Sequence, residues 1–392
     1  MSHTNLTVYG ASWCTDCRRA KKFLGEQRIH YNWVDIEQDA EGQALVERLN
    51  DGKRIIPTII FEDGSKLVEP TNAELAAKLG LPTEAKMSYY DLIIVGGGPA
   101  GLTAALYAAR EGIETLVIEQ SGLGGQAGVT ERLDNFPGFP EGVSGAEFAD
   151  RLAQQARRFG VELLQAQTVA GLRSEDESRY VSTADGREYG ACAVLIASGS
   201  QYKRLGARGE EDFIGAGVHF CATCDGPFYK GQPVAVIGGG NSAGEESIFL
   251  ARFASEVNIL VRGDGLDASK LVVDKVREND RITVRPHTEV VEFRGEGKLK
   301  SVLVRDRTTD ATEEIHPAGV FVFVGLKPNV EWLPAEVARD AGGFIATSAT
   351  LETSIPGVFA AGDVRAGSTK QAASAAGEGA TAALMIRGYL RE

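Results

Sequence analysis

One arrangement occurs twice in this chain and restricts its fold more than any other feature: a strand, a glycine-rich turn, a helix and a second strand. The first copy, residues 89–120, is YYDLIIVGGGPAGLTAALYAAREGIETLVIEQ, and the second, residues 232–263, is QPVAVIGGGNSAGEESIFLARFASEVNILVRG. In both, an apolar run of strand length ends in glycines, and a helical pattern follows. Such β-α-β units bind the pyrophosphate of a dinucleotide at the helix N-terminus. Two copies therefore predict an α/β chain with two dinucleotide sites.

The first turn has the spacing G-x-G-x-x-G, formed by Gly96, Gly98 and Gly101. The first glycine makes the turn, the second lets the backbone approach a pyrophosphate, and the third lets helix and strand pack closely. Glu119 ends the second strand, where a carboxylate accepts hydrogen bonds from an adenosine ribose. We assign this site to FAD, and we expect the later run GVFAAGD (357–363) with its small-residue helix to belong to it.

The second turn differs from the first at its last position and in the residue after the second strand. Gly238, Gly240 and Ala243 give G-x-G-x-x-A, and Arg262 stands where the first copy has an acid. A basic residue there pairs with the 2′-phosphate of NADPH, whereas an acid favours NADH. Asp264 and Asp267 come soon after Arg262 and weaken this distinction. The sequence predicts NADPH, with NADH as the alternative.

Two Cys-x-x-Cys pairs lie far apart in the chain, in WCTDC (13–17) and in CATCD (221–225). The first pair follows a strand and precedes a helix, in a segment whose patterns give the order β-α-β-α-β-β-α. Unpaired N–H groups at that helix N-terminus stabilise a thiolate, so we expect Cys14 to attack and Cys17 to resolve the mixed disulfide. In a fold with this order of elements a proline before a strand often follows a cis peptide bond, so we expect one before Pro57, in Ile-Pro-Thr, where the backbone would flank the disulfide and dock a partner's chain.

Other uses of these cysteines fit the sequence less well. The pairs are too widely separated for a zinc ribbon, so no metal site is predicted. Closing a two-residue loop stabilises a fold little, which argues against purely structural disulfides. Cys192 lies in an apolar strand and is expected to be a small core side chain. Trp13 is interpreted either as packing or as a lid beside Cys14, and His219 as a neighbour that could tune Cys221.

Charge and hydropathy exclude several classes of protein. The net charge is −13, so the chain lacks the basic excess of a nucleic-acid binder and the polybasic arm of a membrane-surface protein. No apolar run is long enough to span a bilayer, and residues 1–10 lack the pattern of a secretion signal. We expect a cytoplasmic location, where Cys-x-x-Cys pairs serve redox or metal chemistry.

The motifs together resemble two known families. GGGPAG, GGQ (124–126), DNFPG (134–138), CATCDG, GGGNSAGEE and GVFAAGD occur in the order and spacing of bacterial-type, low-molecular-weight thioredoxin reductases, over about residues 88–392. This resemblance implies an FAD domain in two pieces, an inserted NADPH domain that carries the second cysteine pair, and a homodimer. Residues 4–80 resemble a glutaredoxin, especially the mycoredoxin-like branch, through TVYGASWCTDC, WVDIE and the Ile-Pro-Thr loop. Where glutathione-using glutaredoxins carry Gly-Gly and acids, this chain has VEPTNAEL.

The reductase resemblance also implies roles for individual residues. FAD would be bound by Gly96, Gly98, Gly101, Glu119, Gln126, Asn135, Asp363, Gln371 and Ala372. NADPH would be bound by Gly238, Gly240, Asn241, Ala243 and Arg262. Cys224 would face the flavin, Cys221 would attack the next disulfide, and Asp225 would donate or accept the proton. One departure matters: the family's His-Arg-Arg is Val261-Arg262-Gly263 here, and Asp267 replaces a further arginine.

These patterns predict five segments: a glutaredoxin-like domain at 1–80, a linker at 81–88, a first FAD part at 89–204, an NADPH domain at 205–325 and a second FAD part at 326–392. The expected fold class is α/β, with an N-terminal thioredoxin/glutaredoxin fold and two Rossmann-like domains, the FAD domain split by the NADPH domain.

The predicted function is an electron relay from NADPH through FAD and Cys221–Cys224 to Cys14–Cys17, and then to a disulfide substrate. The substrate stays open among thioredoxin-like proteins, low-molecular-weight thiol disulfides and protein mixed disulfides, and transfer could occur within or between subunits. One alternative is an electron donor to a peroxiredoxin, like the flavoprotein of alkyl hydroperoxide reductase. The other is a redox sensor without turnover, against which the intact CATCD argues.

Overall fold

The computed structural model describes residues 6–11, 13–27, 29–130 and 132–391. They divide into two compact units. The first contains the chain up to 132 together with 136–199 and 328 onward, and the second contains 133–135 and 200–327. Thr4 and Asn5, predicted as the start of the first strand, lie outside the described residues.

The N-terminal part of the first unit has the predicted order of elements. They are β1 (Leu6–Gly10), α1 (Thr15–Glu26), β2 (Tyr31–Asp35), α2 (Ala40–Leu49), β3 (Thr58–Phe61), β4 (Lys66–Val68) and α3 (Asn72–Lys78). The sheet order is β2-β1-β3-β4, with β1 parallel to β2 and antiparallel to β3. Phe23 and Leu24 of α1 pack with Leu6, Val8 and Ile59 of the sheet in one buried cluster.

The chain then forms the elements of the first glycine turn. They are β5 (Tyr89–Val95), α4 (Pro99–Arg110), β6 (Thr115–Ile118), α5 (Gly125–Val129), α6 (Gly145–Arg158), β7 (Glu162–Leu164), β8 (Val169–Glu175), β9 (Ser178–Thr183) and β10 (Glu188–Ile196). The strands form a sheet in the order β7-β6-β5-β10-β9-β8, in which β7, β6, β5 and β10 are parallel. Leu92 and Ile94 of β5 enter one core, and Ile93 and Val95 enter the core on the other face.

The second unit has its own sheets. Its elements are β11 (Ser200–Tyr202), β12 (Val218–His219), α7 (Ala222–Asp225), β13 (Pro233–Ile237), α8 (Asn241–Leu250), β14 (Glu256–Leu260), α9 (Lys270–Arg277), β15 (Ile282–Arg285), β16 (Thr288–Glu296), β17 (Lys298–Asp306), β18 (Thr312–Ile315), β19 (Gly319–Val322) and β20 (Leu326–Pro328). One sheet is parallel and has the order β12-β19-β13-β14-β15. A second sheet is antiparallel and consists of β16, β17 and β18, and β11 pairs with β20.

The end of the chain returns to the first unit. There β21 (Val358–Ala360) pairs in parallel with β10, and α10 (Ala372–Tyr389) packs along α4. Two sequence-distant segments thus complete one sheet, in agreement with the predicted α/β fold class. Within the described ranges, no helix is both long and apolar enough to cross a membrane.

The segment after α3 contacts the sheet that comes next in the chain. The carbonyl of Pro82 accepts a hydrogen bond from the Gln165 N–H (2.9 Å), and the carbonyl of Thr83 accepts one from Arg187 Nη1 (3.2 Å). The Lys86 N–H donates to the Glu162 carboxylate (2.9 Å). Because these bonds hold Pro82, Thr83 and Lys86, the segment predicted as a linker is anchored to the sheet instead of spanning open solvent.

Candidate functional site

The first glycine turn has the close contacts that its motif predicts. Gly96 follows β5 with φ at 111°, a conformation that favours glycine, and a side chain there would collide with the carbonyl of Ala197. Gly98 is the N-cap of α4, and a side chain on Gly101 would collide with the carbonyl of Gly96. The helix N-terminus therefore comes close to the end of β5, and because the first N–H groups of a helix have no partner within the helix, such an N-terminus can bind an anion.

Glu119 is buried, with 7% of its surface exposed. One carboxylate oxygen accepts a hydrogen bond from the Gly97 N–H (2.7 Å), and the other accepts one from the Ser121 N–H (2.8 Å). Burial raises the pKa of this carboxyl, and the backbone hydrogen bonds oppose that rise. The second oxygen also accepts the Ser121 hydroxyl (3.2 Å), so the lone pair left for the predicted bond to a ribose hydroxyl is on the oxygen that faces Gly97. The structure adds a role that the sequence did not predict: Glu119 holds the glycine turn in place.

The Gly-Gly-Gln motif is brought to the same turn. The Gly124 N–H donates to the carbonyl of Gly97 (2.7 Å), and a side chain on Gly125 would lie 3.3 Å from the Cα of Gly98. Gln126 is exposed in α5, directly after these glycines. Asn135 belongs to the second unit, so its predicted role toward FAD stays a prediction.

The C-terminal segment supplies the other side of this cradle. A side chain on Gly362 would lie 2.9 Å from the Cβ of Ala100 in α4, and one on Gly379 of α10 would collide with the carbonyl of Ala100. Gln371 is the N-cap of α10 and Ala372 is its first residue. Residues predicted from two distant stretches of sequence therefore meet around the N-terminus of α4.

Asp363 provides a test of whether these residues fit FAD. Its Oδ1 atom is buried and, among the described residues, has no hydrogen-bond partner. Burial raises the pKa of this carboxyl, Lys370 opposes the rise and Glu378 adds to it. A buried, unpaired acceptor needs a donor, and the hydroxyl groups of a ribityl chain are donors of that kind. The cradle therefore fits FAD.

The second glycine turn repeats the first in the other unit. Gly238 has φ at 149°, and a side chain there would collide with the carbonyl of Phe323. Gly240 is the N-cap of α8, and Ala243 is fully buried one turn later. Asn241 accepts a hydrogen bond from the Ser269 N–H (2.7 Å), which fixes the segment after β14 beside the turn.

The two cysteine pairs have nearly the same local geometry. Cys14–Cys17 and Cys221–Cys224 each form a disulfide, with Cα–Cα distances of 5.2 and 5.3 Å. Each first cysteine is an N-cap, and its sulfur accepts the N–H of the second cysteine, at 3.1 Å for Cys14 and 3.2 Å for Cys221. The same N–H would stabilise a thiolate after reduction.

The surroundings of Cys14 agree with the sequence analysis. The Ile56–Pro57 peptide bond is cis, as predicted, and the carbonyl of Ile56 lies 3.7 Å from the Cys14 sulfur. Trp13 is 63% exposed, so it does not serve as core packing. Cys17 is fully buried and Cys14 is 6% exposed, which makes Cys14 the sulfur that a partner can reach.

His219 contacts an acid and a tyrosine hydroxyl beside the second pair. His219 Nδ1 lies 3.4 Å from the Asp225 carboxylate, and His219 Nε2 lies 2.6 Å from the Tyr229 hydroxyl. Burial, followed by the charge of Asp225, raises the pKa of Tyr229 to about 12, so the phenol stays protonated. The sequence drew attention to His219 through its nearness to Cys221, but no sequence pattern indicated Tyr229.

Cys192 was expected in the core and is only partly buried. Its sulfur lies 3.7 Å from the hydroxyl of Tyr89, which faces it from β5. Its strand pairs with β5 and β9, and its side chain lies toward the polar end of Tyr89 instead of among apolar side chains. The apolar sequence around Cys192 could not predict its partial burial, because that sequence does not show which strands will lie beside β10.

Comparisons with known proteins agree with this geometry. Residues 90–379 match the family of pyridine nucleotide-disulphide oxidoreductases, and residues 6–65 match glutaredoxin. A thioredoxin reductase of Treponema pallidum (strain Nichols) is 40% identical over 301 residues, which cover 77% of this chain and 97% of that protein. A bifunctional thioredoxin reductase/thioredoxin of Mycobacterium leprae is 40% identical over 304 residues, which cover 77% of this chain and 66% of that protein.

Solved structures lead to the same family. The thioredoxin reductase from Streptococcus pyogenes MGAS5005 is 38% identical with a TM-score of 0.73, and the match covers 78% of this chain and 99% of that one. These relatives favour the reductase interpretation over the peroxiredoxin donor. The chain belongs to the thioredoxin reductase family of pyridine nucleotide-disulphide oxidoreductases and is a flavin-dependent disulfide reductase with a glutaredoxin domain at its N-terminus.

Proposed function

We propose that this reductase passes electrons from NADPH through FAD to Cys221–Cys224, then to Cys14–Cys17, and finally to a disulfide on another molecule. The observation that carries the proposal is the presence in one chain of two Cys-x-x-Cys disulfides with matching geometry, one in each compact unit. A chain that reduced its substrate from one pair alone would have no use for the second.

The chain's own residues are suited to hold both nucleotides. The proposed FAD domain comprises 89–204 and 326–392, with the glycine turn, Glu119 and Asp363 around the ligand. The proposed NADPH domain comprises 205–325, with the second turn and Arg262. When bound, FAD accepts a hydride from the nicotinamide and delivers two electrons to a disulfide.

Thiol–disulfide exchange between the two cysteine pairs takes two steps, the attack that forms a mixed disulfide and the attack that resolves it. The Cys221 thiolate attacks Cys14, the more exposed sulfur of its pair, and displaces Cys17 as a thiolate. Cys224 then attacks the mixed disulfide, which restores Cys221–Cys224 and leaves Cys14 and Cys17 reduced. Asp225 takes the proton from the attacking thiol and returns it to the leaving sulfur. His219 holds the Asp225 carboxylate during both steps.

The substrate class follows from the domain that delivers the electrons. The relatives are thioredoxin reductases, and the N-terminal domain is a glutaredoxin. We propose that Cys14 reduces protein mixed disulfides or low-molecular-weight thiol disulfides, and that thioredoxin-like proteins take electrons from either pair. Pro57 lies beside Cys14 and would dock the extended chain of such a substrate.

The proposal is tested by removing one sulfur at a time. In Cys14→Ser, NADPH-dependent reduction of mixed disulfides should fall at least about 100-fold, because the attacking sulfur is gone. Reduction of a small aromatic disulfide by Cys221–Cys224 should persist. Cys192→Ser is the matched control and should leave both activities unchanged. Equal activity of Cys14→Ser and the parent toward every disulfide would show that the N-terminal pair is not in the path.

We further propose a homodimer in which transfer can cross between subunits. Cys14→Ser lacks a working first pair, and Cys221→Ser lacks a working second pair. If transfer crosses the dimer, mixed dimers of the two variants recover mixed-disulfide reduction that neither variant has alone. If each subunit uses only its own pairs, the mixture stays inactive and the cross-subunit route is wrong.

A further inference from the structure

The segment after β14 faces the part of the second nucleotide site where an adenosine ribose would lie, and it carries a single basic residue, Arg262. A side chain placed on Gly263 would meet no atom within 4 Å, so the adjacent space is open. The start of β16 and the residue before it fix the backbone here: the carbonyl of Gly263 accepts the His287 N–H (2.9 Å), and that of Val261 accepts the Thr288 N–H (2.8 Å).

A second guanidinium reaches this segment from elsewhere in the chain. Arg307 lies just after β17, in the turn that leads to β18, and its Nη1 donates a hydrogen bond to the carbonyl of Arg262 (3.0 Å). Its own N–H donates to the carbonyl of His287 (2.8 Å). Arg307 is therefore held in place by two hydrogen bonds, one from its side chain to Arg262 and one from its backbone to His287.

Charge around the two arginines leaves them available for an anion. Arg305 pairs with Glu289 (2.8 Å) and Asp310 (3.6 Å), whereas neither Arg262 nor Arg307 has a carboxylate within ion-pair distance among the described residues. The hydrogen bond from Arg305, with smaller contributions from Arg307 and Arg262, lowers the pKa of Glu289. Asp264, two residues after Arg262, faces His287 Nδ1 (3.6 Å). The Glu289 carboxylate is thus near the guanidinium groups of Arg305, Arg307 and Arg262, so positive charge is in excess there.

We infer that Arg307 and Arg262 together bind the 2′-phosphate of NADPH, with Arg307 occupying the space that Gly263 leaves open. The inference rests on the proposed function, in which NADPH is the electron donor. Guanidinium groups make charge-assisted, often bidentate, hydrogen bonds to phosphate oxygens, so two of them favour NADPH over NADH more strongly than Arg262 alone. Nothing in the sequence pointed to Arg307, because α9 and the strands β15, β16 and β17 separate it from the second glycine turn and β14.

The test measures nucleotide binding, not turnover. In the purified, FAD-containing full-length chain, affinities for 2′,5′-ADP and 5′-AMP are measured by isothermal titration calorimetry, since these ligands differ only in the 2′-phosphate. Arg307→Gln should weaken 2′,5′-ADP binding about 10- to 100-fold and leave 5′-AMP binding unchanged. Arg307→Lys keeps the charge without the bidentate geometry, and we expect an intermediate loss.

Arg294→Gln is the matched control, because Arg294 lies on the same antiparallel sheet and pairs with Glu292 (2.7 Å). It should bind both ligands like the parent. Unchanged 2′,5′-ADP affinity in Arg307→Gln, or equal losses for both ligands, would overturn the role of Arg307 while NADPH remains the donor. A parent protein that does not discriminate between the ligands would contradict the NADPH preference itself.

Discussion

Two buried carboxyl groups at the FAD cradle differ in how their oxygens are satisfied. Both oxygens of Glu119 accept backbone N–H groups of the chain, whereas Oδ1 of Asp363 has no partner among the described residues. Burial raises the pKa of each. Glu119 therefore helps to build the turn, and Asp363 is held ready for a ligand at a cost to the ligand-free protein.

This cost predicts a pH dependence. The pKa of Asp363 is raised above its ordinary value of 3.8, so its contribution to stability is full below that value and is lost as pH rises through the folded-state pKa. Asp363→Asn carries no charge, so the FAD-free variant should be more thermally stable than the unsubstituted protein, and the difference should grow as pH rises above the ordinary carboxyl pKa of 3.8. The measurement is the difference in unfolding midpoint at several pH values. A difference that does not change with pH would contradict it.

His219 gives a second prediction at this scale. Its ring packs against Tyr229 and Phe321 at centroid distances of 5.4 Å, so His219→Phe should keep the packing and lose the hydrogen bond to Tyr229 and the polar contact with Asp225. Release of the Asp225 carboxylate should slow disulfide exchange at Cys221–Cys224 roughly 5- to 20-fold, with nucleotide binding unchanged. His316→Gln, an exposed histidine in the same unit, is the control.

A double-mutant cycle shows whether His219 acts through Asp225. In an Asp225→Asn background, His219→Phe should add little further loss, because the group that it positions is already gone. Multiplicative losses in the double variant would mean that the histidine acts independently.

At the scale of elements, the cradle depends on how closely α10 approaches α4. Small residues line the contact, and the backbone of Ala100 lies where a Cβ on Gly379 would be. The contact buries Ala104, Ala108, Ala382 and Ala383 in the core around the glycine turn. Small side chains allow two helix backbones to approach each other, which places the N-terminus of α10 at the nucleotide turn.

Two glycines of α10 make this contact testable. Gly379→Ala should lower stability by about 1–3 kcal/mol and reduce FAD content, because its methyl group meets the Ala100 backbone. Gly377→Ala should be neutral or should stabilise by roughly 0.5–1 kcal/mol, since a Cβ there meets nothing within 4 Å and alanine favours helix. The unfolding midpoint and the flavin absorbance of the purified proteins report both effects. Similar behaviour of the two variants would show that the close approach is not needed.

At the scale of the whole molecule, the connection between the glutaredoxin domain and the following sheet limits how electrons can be delivered. Residues 82–87 are hydrogen-bonded to the sheet, and Ala166 packs in the glutaredoxin core beside Leu79 and Leu81. The glutaredoxin domain and the following sheet thus belong to one compact unit and are joined by these contacts, so residues 81–88 do not act as a free tether.

Insertion of a flexible segment tests this attachment. About ten Gly and Ser residues placed between Gly80 and Leu81 keep the contacts of 82–87 and free the glutaredoxin domain. Electron transfer to Cys14–Cys17 should slow about three- to ten-fold, because the effective concentration of the pair falls. Reduction of a small aromatic disulfide by Cys221–Cys224 serves as the internal control. An equal or faster transfer to Cys14 in the insertion variant would contradict the idea that attachment favours delivery.

Features that depend on local backbone geometry could be predicted from the amino-acid sequence alone. A turn that must pass under a pyrophosphate needs glycine at fixed spacings, and a reactive pair needs two cysteines at a helix start, so the positions of Gly96, Gly238, Cys14 and Cys221 were predictable. The cis bond before Pro57 was predicted from the place of this proline, before a strand of a fold with this order of elements, and not from the Ile-Pro dipeptide alone.

Features that depend on residues distant in the chain were set by the tertiary fold. The pairing of β21 with β10 brings Asp363 to the turn after β5, and the turn after β17 brings Arg307 to the segment after β14. The partial burial of Cys192 and the anchoring of 82–87 depend in the same way on neighbours that no local pattern specifies. Local patterns report the preferences of a segment, whereas contacts between segments are set by how whole sheets bury their apolar faces.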